Sequence, residues 1–166
     1  MRASRAIVPF LLVTACGCLN PVALYRDAAR RLSFHLERVE PALDLRFPLD
    51  RSRVGLKLRL GVDNPSDLRF PACTIGGQIF MDSGKGFRPL GRVAFSRSVA
   101  LEPARRTPVD AEIWLTYDEL RGVWDDLLPV VEGRREAAWR LEGEAGIEVL
   151  GVHVTVPVHS QFRSGK

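Results

Sequence analysis

Cysteine is scarce in this chain: Cys16, Cys18 and Cys73 are the only three among 166 residues. An oxidising compartment would permit a disulfide from Cys18 to Cys73, against which stands the place of Cys18 in the N-terminal tether. Cys73 follows Pro71-Ala72 beside a predicted strand and reads instead as a small buried hydrophobe. Long apolar runs are missing too. The run from Ala6 to Ala15, broken by Pro9 and Thr14, is about ten residues, against the roughly twenty that a spanning helix needs. Nor is there a strong excess of one charge. The formal charge of +4 is spread over Arg pairs at Arg30-Arg31, Arg105-Arg106 and Arg134-Arg135 that sit among acids. That pattern argues against a nucleic-acid footprint. Finally, the chain is not poor in hydrophobic residues, which make up 46% against 27% charged, and this excludes a hydrophilic disordered protectant.

The first residues carry an address. Arg2 and Arg5 precede the short apolar run, which ends in Val13-Thr14-Ala15-Cys16. A charged start, a short apolar core and a small residue before the cut form an export signal. The cysteine directly after the small residue resembles the lipobox of bacterial lipoproteins, in which cleavage leaves a lipid-modified cysteine as the first mature residue. That resemblance implies lipidation of Cys16, stable because more than one acyl chain is attached. Two other readings stand beside it: modification of Cys18, preceded by Gly17, and ordinary cleavage without lipid. The chain then divides into a signal at 1–15, a lipidated tether at 16–32, one domain at 33–159 and a tail at 160–166. Loss of the signal removes Arg2 and Arg5 and leaves 22 Lys+Arg against 20 Asp+Glu.

Asn20-Pro21 reads as an N-cap followed by proline at the first helical position, opening a short helix or tether to about Leu32. Alternation then takes over. Ser33 to Val39 and Ala42 to Phe47 read as two strands, the first with Phe34 and Leu36 on one side, the second with Leu43, Leu45 and Phe47. The clearest strand is Arg53 to Val62, where Val54, Leu56, Leu58, Leu60 and Val62 share one parity and Arg53, Lys57 and Arg59 the other. One face is core and the other wet. It ends at Asp63-Asn64-Pro65-Ser66-Asp67, since proline cannot donate to a ladder and Asn and Asp close turns on their own backbone.

Thr74 to Met81 is the next strand, followed by a turn at Asp82-Ser83-Gly84-Lys85-Gly86. Val93, Phe95, Val99 and Leu101 continue the even spacing, and Arg97 interrupts it as a bulge or bend would. After a turn at Glu102 to Arg106, Val109, Ala111, Ile113, Leu115 and Tyr117 alternate, which turns Trp114 outward or beneath a covering element. From Asp118 to Glu132 the period changes. Leu120, Val123, Trp124, Leu127, Leu128 and Val131 have the three-and-four spacing of an amphipathic helix, capped by Asp118 or Thr116 and stopped by Gly133. Trp139 to Ile147 and Val152 to Val158 close the series as strands, with Gly151 at the bend. Seven to eight short strands, turns between them and one amphipathic helix make an all-β sandwich.

The strand Val54 to Val62 running into Asp63-Asn64-Pro65 resembles the signature of the type 2 late embryogenesis abundant family, also called the water stress and hypersensitive response domain. The order that follows is similar as well: a hairpin strand at Ile75 to Met81, a Pro103-Ala104 turn, the alternating Val109 to Leu115, a helix, and a closing pair ending Val154 to Val158. The resemblance covers roughly Ser33 to His159. It implies an immunoglobulin- or fibronectin-III-like antiparallel β-sandwich, Asn64 and Pro65 as structural motif residues, and a role in desiccation or other water stress. Bacterial members are often small lipoproteins, in keeping with Cys16. Ser83 to Pro89 departs from the pattern as a longer hairpin turn.

No catalytic constellation is expected. Gly84-Lys85-Gly86 lacks the spacing of a phosphate loop, with Gly86 standing where Ser or Thr would hold a metal. His153 and His159 share a strand parity but lie about 20 Å apart at ~3.4 Å per residue. Asp125-Asp126 reads as the polar side of the helix, Glu142, Glu144 and Glu148 as the wet side of a strand, and Ser160 lacks a Gly-x-Ser-x-Gly context. The expectation is a non-enzymatic, membrane-tethered module without cofactor or metal. Its candidate partners are the membrane through the N-terminal lipid, envelope proteins and lipids. The alternative is an accessory subunit of an envelope complex, or a carrier with lipid or another apolar ligand under the helix face Leu120, Trp124, Leu127 and Val131. By resemblance to lipoprotein sorting, Gly17 rather than Asp after Cys16 implies the outer membrane over the inner one if the host has an outer membrane.

Overall fold

The computed structural model describes residues 20–164, the side chains of 96 and 97 excepted, so the lipidation candidates Cys16 and Cys18 lie outside the described residues. The elements are α1 (Pro21–Ala29), β1 (Ser33–Asp44), β2 (Arg53–Asn64), β3 (Phe70–Asp82), β4 (Arg88–Leu101), β5 (Arg105–Thr116), α2 (Tyr117–Leu120), α3 (Trp124–Val131), β6 (Ala138–Val149) and β7 (Val152–Arg163), with a 3-10 turn at Leu49–Arg51. Two antiparallel sheets form, β1-β2-β5 and β4-β3-β6-β7. Their inner faces make the core.

β2 is the spine of the first sheet. Val54, Leu56, Leu58, Leu60 and Val62 are each at most 1% exposed, so every residue of the apolar parity read from sequence is buried, while Lys57 and Arg59 of the other parity are exposed. Each such side chain contributes about 1.5–3 kcal/mol on leaving water. Facing it from the second sheet are Ile75, Ile79, Leu141, Ile147 and Trp139, all buried. Cys73 joins them, and burial pushes its thiol up to about 11.

Three expectations need correction. The two strands expected between Ser33 and Phe47 are one, β1, with a bulge: Leu36 pairs Leu60 while Arg38 pairs Arg59, leaving Glu37 as the extra residue. The parity flips there, so Val39 is buried and Arg38 turns out to meet Glu40. β1 ends at Asp44 opposite Arg53 because β2 offers no partner beyond it, and Phe47, before Pro48 in the connecting loop, is 95% exposed.

The single helix at 118–132 is two short ones. Thr116 caps α2 in a reciprocal box with Glu119. The chain then breaks at Arg121-Gly122-Val123, where Val123 N–H closes back on the Leu120 carbonyl at 2.8 Å. α3 restarts with a new phase that buries Trp124, Leu127 and Val130 and ends before Gly133, at φ +70°. Restarting the phase also buries Asp126, which is 9% exposed rather than on a wet side.

The third correction concerns the tail. β7 runs on to Arg163, so residues 160–163 belong to the second sheet. The anticipated irregularity near Arg97 is present in the register, where Cys73 pairs Val99 but Ile75 pairs Phe95. α1 is capped by Asn20 Oδ1, which accepts the Val22 amide at 3.1 Å, and it docks through buried Ala28 and Ala29 and an edge contact of Tyr25 on Phe70.

Candidate functional site

Asn64 is the last residue of β2 and is 2% exposed. Its Nδ2 donates to the carbonyls of Leu68 at 2.8 Å and Glu102 at 3.0 Å, and its Oδ1 accepts from the Ser66 amide at 3.1 Å and the Ser66 hydroxyl at 2.7 Å. One side chain thus ties the exit of β2 to the approach of β3 and the end of β4. Pro65, exposed and without an N–H, ends the ladder at that point.

The outer face of the β1-β2-β5 sheet carries a lattice of both signs. Arg38 meets Glu40 at 3.0 Å, and Arg59 meets Asp110 through two hydrogen bonds of 2.8 and 3.3 Å. The Arg59 guanidinium holds the Asp110 carboxyl below its ordinary value. Lys57 lies between Glu40 and Glu112 in register and, among the described residues, forms no ion pair. These six side chains line a shallow groove of about 410 Å³. Nearer Asn64, Arg106 donates to both oxygens of Asp63 at 2.6 and 2.8 Å, and His35 Nε2 lies 3.1 Å from the same carboxylate. Arg106, and after it His35, lower the Asp63 carboxyl. Each exposed pair contributes at most about 1 kcal/mol, so the lattice shapes the surface more than it stabilises the fold. Trp114 turns outward as expected, stacked flat over Gly55 with Arg53 5.5 Å from its ring.

The long turn at Ser83 to Pro89 has a structural use that its sequence does not announce. Asp82 Oδ1 accepts the amides of Gly84 and Gly86 at 2.7 and 2.9 Å, which presents Lys85 to α3. Lys85 Nζ then donates to Asp126 Oδ1 at 2.7 Å, with Arg88 3.9 Å away and its Nη1 also donating to the Gly122 carbonyl. The Lys85 ammonium holds the Asp126 carboxyl below its ordinary value. A depressed native value means that this stabilisation is present above the ordinary carboxylate range, near pH 4, and lost as pH falls through the lower native value. Lys85→Ala is therefore expected to destabilise the protein at pH 7 and to cost less at about pH 2.5, as falling pH brings the lowered Asp126 carboxyl toward protonation. Urea unfolding midpoints of both proteins at both pH values check this.

The edge strands β1 and β7 belong to different sheets and meet at Ser160. Its Oγ accepts the Leu36 amide at 2.6 Å, one residue before the bulge in the edge strand β1. Past that bridge the seam opens into a cleft of about 430 Å³ between β1, the end of α3 and the 133–136 loop. Trp139 forms part of its wall. It is fully buried, and among the described residues its Nε1 has no acceptor. Sequence parity placed Trp139 in the core but nothing in it signalled the cleft. Under α3, by contrast, Leu43, Val54, Trp124, Leu127, Leu128 and Val131 close together and leave no room for a water.

The remaining candidates do not converge. His153 and His159 are exposed on β7, opposite Glu148 and Glu142 of β6. Among the described residues no three His, Cys, Asp or Glu side chains gather as metal ligands. Arg140 was missed by sequence reasoning: its guanidinium lies between the rings of Phe80 at 4.9 Å and Phe87 at 4.3 Å.

No family model matches the sequence. No curated protein matches it either. Solved structures do. The solution structure of the Arabidopsis thaliana protein AT1g01470 aligns with a TM-score of 0.50 at 18% identity, over 79% of this chain and 80% of that one. A protein provisionally named late embryogenesis abundant, At2g46140.1, aligns at TM-score 0.42 and 16% identity, over 80% of this chain and 70% of that one. A crystal structure from Archaeoglobus fulgidus gives TM-score 0.40 at 16% identity, over 79% and 98% of the two chains. At these identities the likeness concerns the fold alone. The class, an all-β two-sheet sandwich, is defined by the chain's own two sheets, and the sequence resemblance to the type 2 late embryogenesis abundant family fits that class.

Proposed function

We propose that the chain is a non-enzymatic lipoprotein of the type 2 late embryogenesis abundant kind, held at the cell envelope by lipid on Cys16 and acting there by surface contact under water stress. The observation that carries the reading is the docked α1. Its first residue, Pro21, is five residues from Cys16, a span of at most about 18 Å. A lipid on Cys16 would therefore hold the α1 end of the sandwich against the bilayer. Exposed Arg26, Arg30 and Arg31 lie at that end. Each would gain about 1 kcal/mol near an anionic headgroup layer. The mixed-charge groove over β1, β2 and β5 would then face away along the sheet, free for envelope proteins, polar headgroups or water. Gly17 after Cys16 favours the outer membrane.

A metabolic fatty-acid label tests the anchor: it should appear on the wild type and disappear in Cys16→Ala, while loss only in Cys18→Ala would move the site. The stress role is tested separately by survival of drying and osmotic shock after deletion of the gene, and unchanged survival would remove it. The carrier alternative, with its ligand under the helix, has less behind it because that space is filled by packed side chains.

A further inference from the structure

The hairpin that joins β6 to β7 goes against the residue preference of its own turn. Val149 pairs Val152, and the two residues between them, Leu150 and Gly151, have φ of +51° and +75°. Asparagine, aspartate or glycine suits the first position of such a turn, whereas a bulky apolar side chain is strained there. Leucine does nothing for the fold at that point either, because Leu150 is 64% exposed while Val149 beside it is buried. A residue that is strained, apolar and exposed at once points to something outside the chain.

Its place in the fold says what that is. Ile147 of β6 pairs Cys73 near the start of β3, so the hairpin lies at the end of the sandwich where Tyr25 of α1 packs on Phe70. The chain ahead of Asn20, with Cys16 in it, enters the fold at this same end. Among the described residues, Leu24 of α1 is the other large hydrophobic side chain exposed here, at 50%. Arg26, Arg30 and Arg31 stand against Asp27 and Glu148, so charge is close to balanced and apolar contact leads. Exposed Phe47 lies at the opposite end, roughly 36 Å away along β1 at about 3.3 Å per residue.

We propose that Leu150 and Leu24 sit in the headgroup–acyl boundary of the bilayer that carries the Cys16 lipid. This contact rests on the lipid anchor and adds an orientation to it. A tether alone lets the domain swivel, whereas a second, protein-borne contact at the same end stands the strands away from the membrane and carries Phe47 outward. Apolar side chains between basic ones suit that boundary.

The lipidated full chain, carrying Cys18→Ser and reconstituted in phosphatidylcholine vesicles, gives the test. A fluorophore sensitive to its surroundings is attached at Leu150→Cys or, as the control, at Phe47→Cys, and Cys73 stays unlabelled because it is 1% exposed. The expected result is a blue shift and quenching by spin-labelled lipid at position 150, with neither at position 47. Flotation with the vesicles reports the anchor separately. A protein that floats while its position-150 label stays in water would overturn this contact alone, as would equal shifts at both positions. A protein that does not float would overturn the anchor and the contact with it. Leu150→Asn, in the unlipidated Cys16→Ala chain, removes the strain and is expected to raise Tm by about 2–4 °C. A fall in Tm would show that leucine serves the fold and would overturn the proposal from the other side.

Discussion

Asn64→Asp is expected to destabilise the protein by about 3–4 kcal/mol at neutral pH, a large part of the roughly 5–15 kcal/mol that holds a domain together. The substitution is nearly isosteric, so volume is not the issue. What changes is the direction of two hydrogen bonds. The Asn64 amide nitrogen donates to the part-buried carbonyls of Leu68 and Glu102, and a carboxylate has no proton to give either of them. Both carbonyls lose their donor, each at about 1–3 kcal/mol, and a negative charge is set beside two negative dipole ends in a site that is 2% exposed. The bonds accepted by Oδ1 from Ser66 survive the change, which separates this variant from Asn64→Ala, where all four are lost and a small void is added. The Asp variant also carries a signature. Protonation below its own raised pKa restores one donor, so the gap to wild type should narrow on acidification. Urea unfolding of wild type, Asn64→Asp and Asn64→Ala at pH 7 and at about pH 4 measures all three effects, and equal stability of wild type and Asn64→Asp would remove the structural account of the Asn-Pro motif.

That account also shows why the motif was legible while other features were not. The turn at Asp63 to Asp67 announces itself because proline and asparagine have local backbone consequences, and the spine Val54 to Val62 does so because strand parity is a period-two signal. Both depend only on neighbours in sequence. Glu37 is different. Nothing local marks it as a bulge, since the flip from Leu36 to Val39 is decided by β2 across the sheet and by Ser160 from the other sheet. Helix phase failed at Asp126 for the same reason. The apolar spacing from Leu120 to Val131 fits one helix, but capping by Thr116 and a break at Gly122 divide it, and only then does Asp126 turn toward Lys85, 41 positions earlier. The cleft beside Trp139 is least legible of all, being a gap between the 33–44, 133–139 and 164 segments that no periodicity describes.

Gly143→Ala should have the second large effect, a loss of about 3 kcal/mol or more, equivalent to a fall in Tm of roughly 10 °C for a domain near 150 residues. Gly143 of β6 stands opposite Gly77 of β3 at the middle of the four-stranded sheet. A Cβ there would lie 2.0 Å from the Gly76 carbonyl oxygen and 2.5 Å from the Gly77 Cα, and one on Gly77 would lie 2.5 Å from the Glu142 carbonyl oxygen. The obstructing atoms are backbone in a hydrogen-bonded ladder, so they cannot swing aside as a side chain would. Moving them means spreading β3 from β6 between the buried pairs Ile75–Ala145 and Ile79–Leu141. Glycine at such a point lets a sheet bend. The edges β4 and β7 of this sheet pack on β5 and β1, so spreading its centre would also disturb the Ser160 bridge. Gly122→Ala supplies the contrast. A Cβ there meets nothing within 4 Å and no left-handed backbone is involved, so the change should be neutral or stabilise by about 0.4–1 kcal/mol. Thermal unfolding of the two variants against wild type distinguishes a general intolerance of added methyl groups from a close approach specific to β3 and β6. A Gly143→Ala protein that melts with the wild type would mean that β3 and β6 have room for a methyl group at their glycine centre.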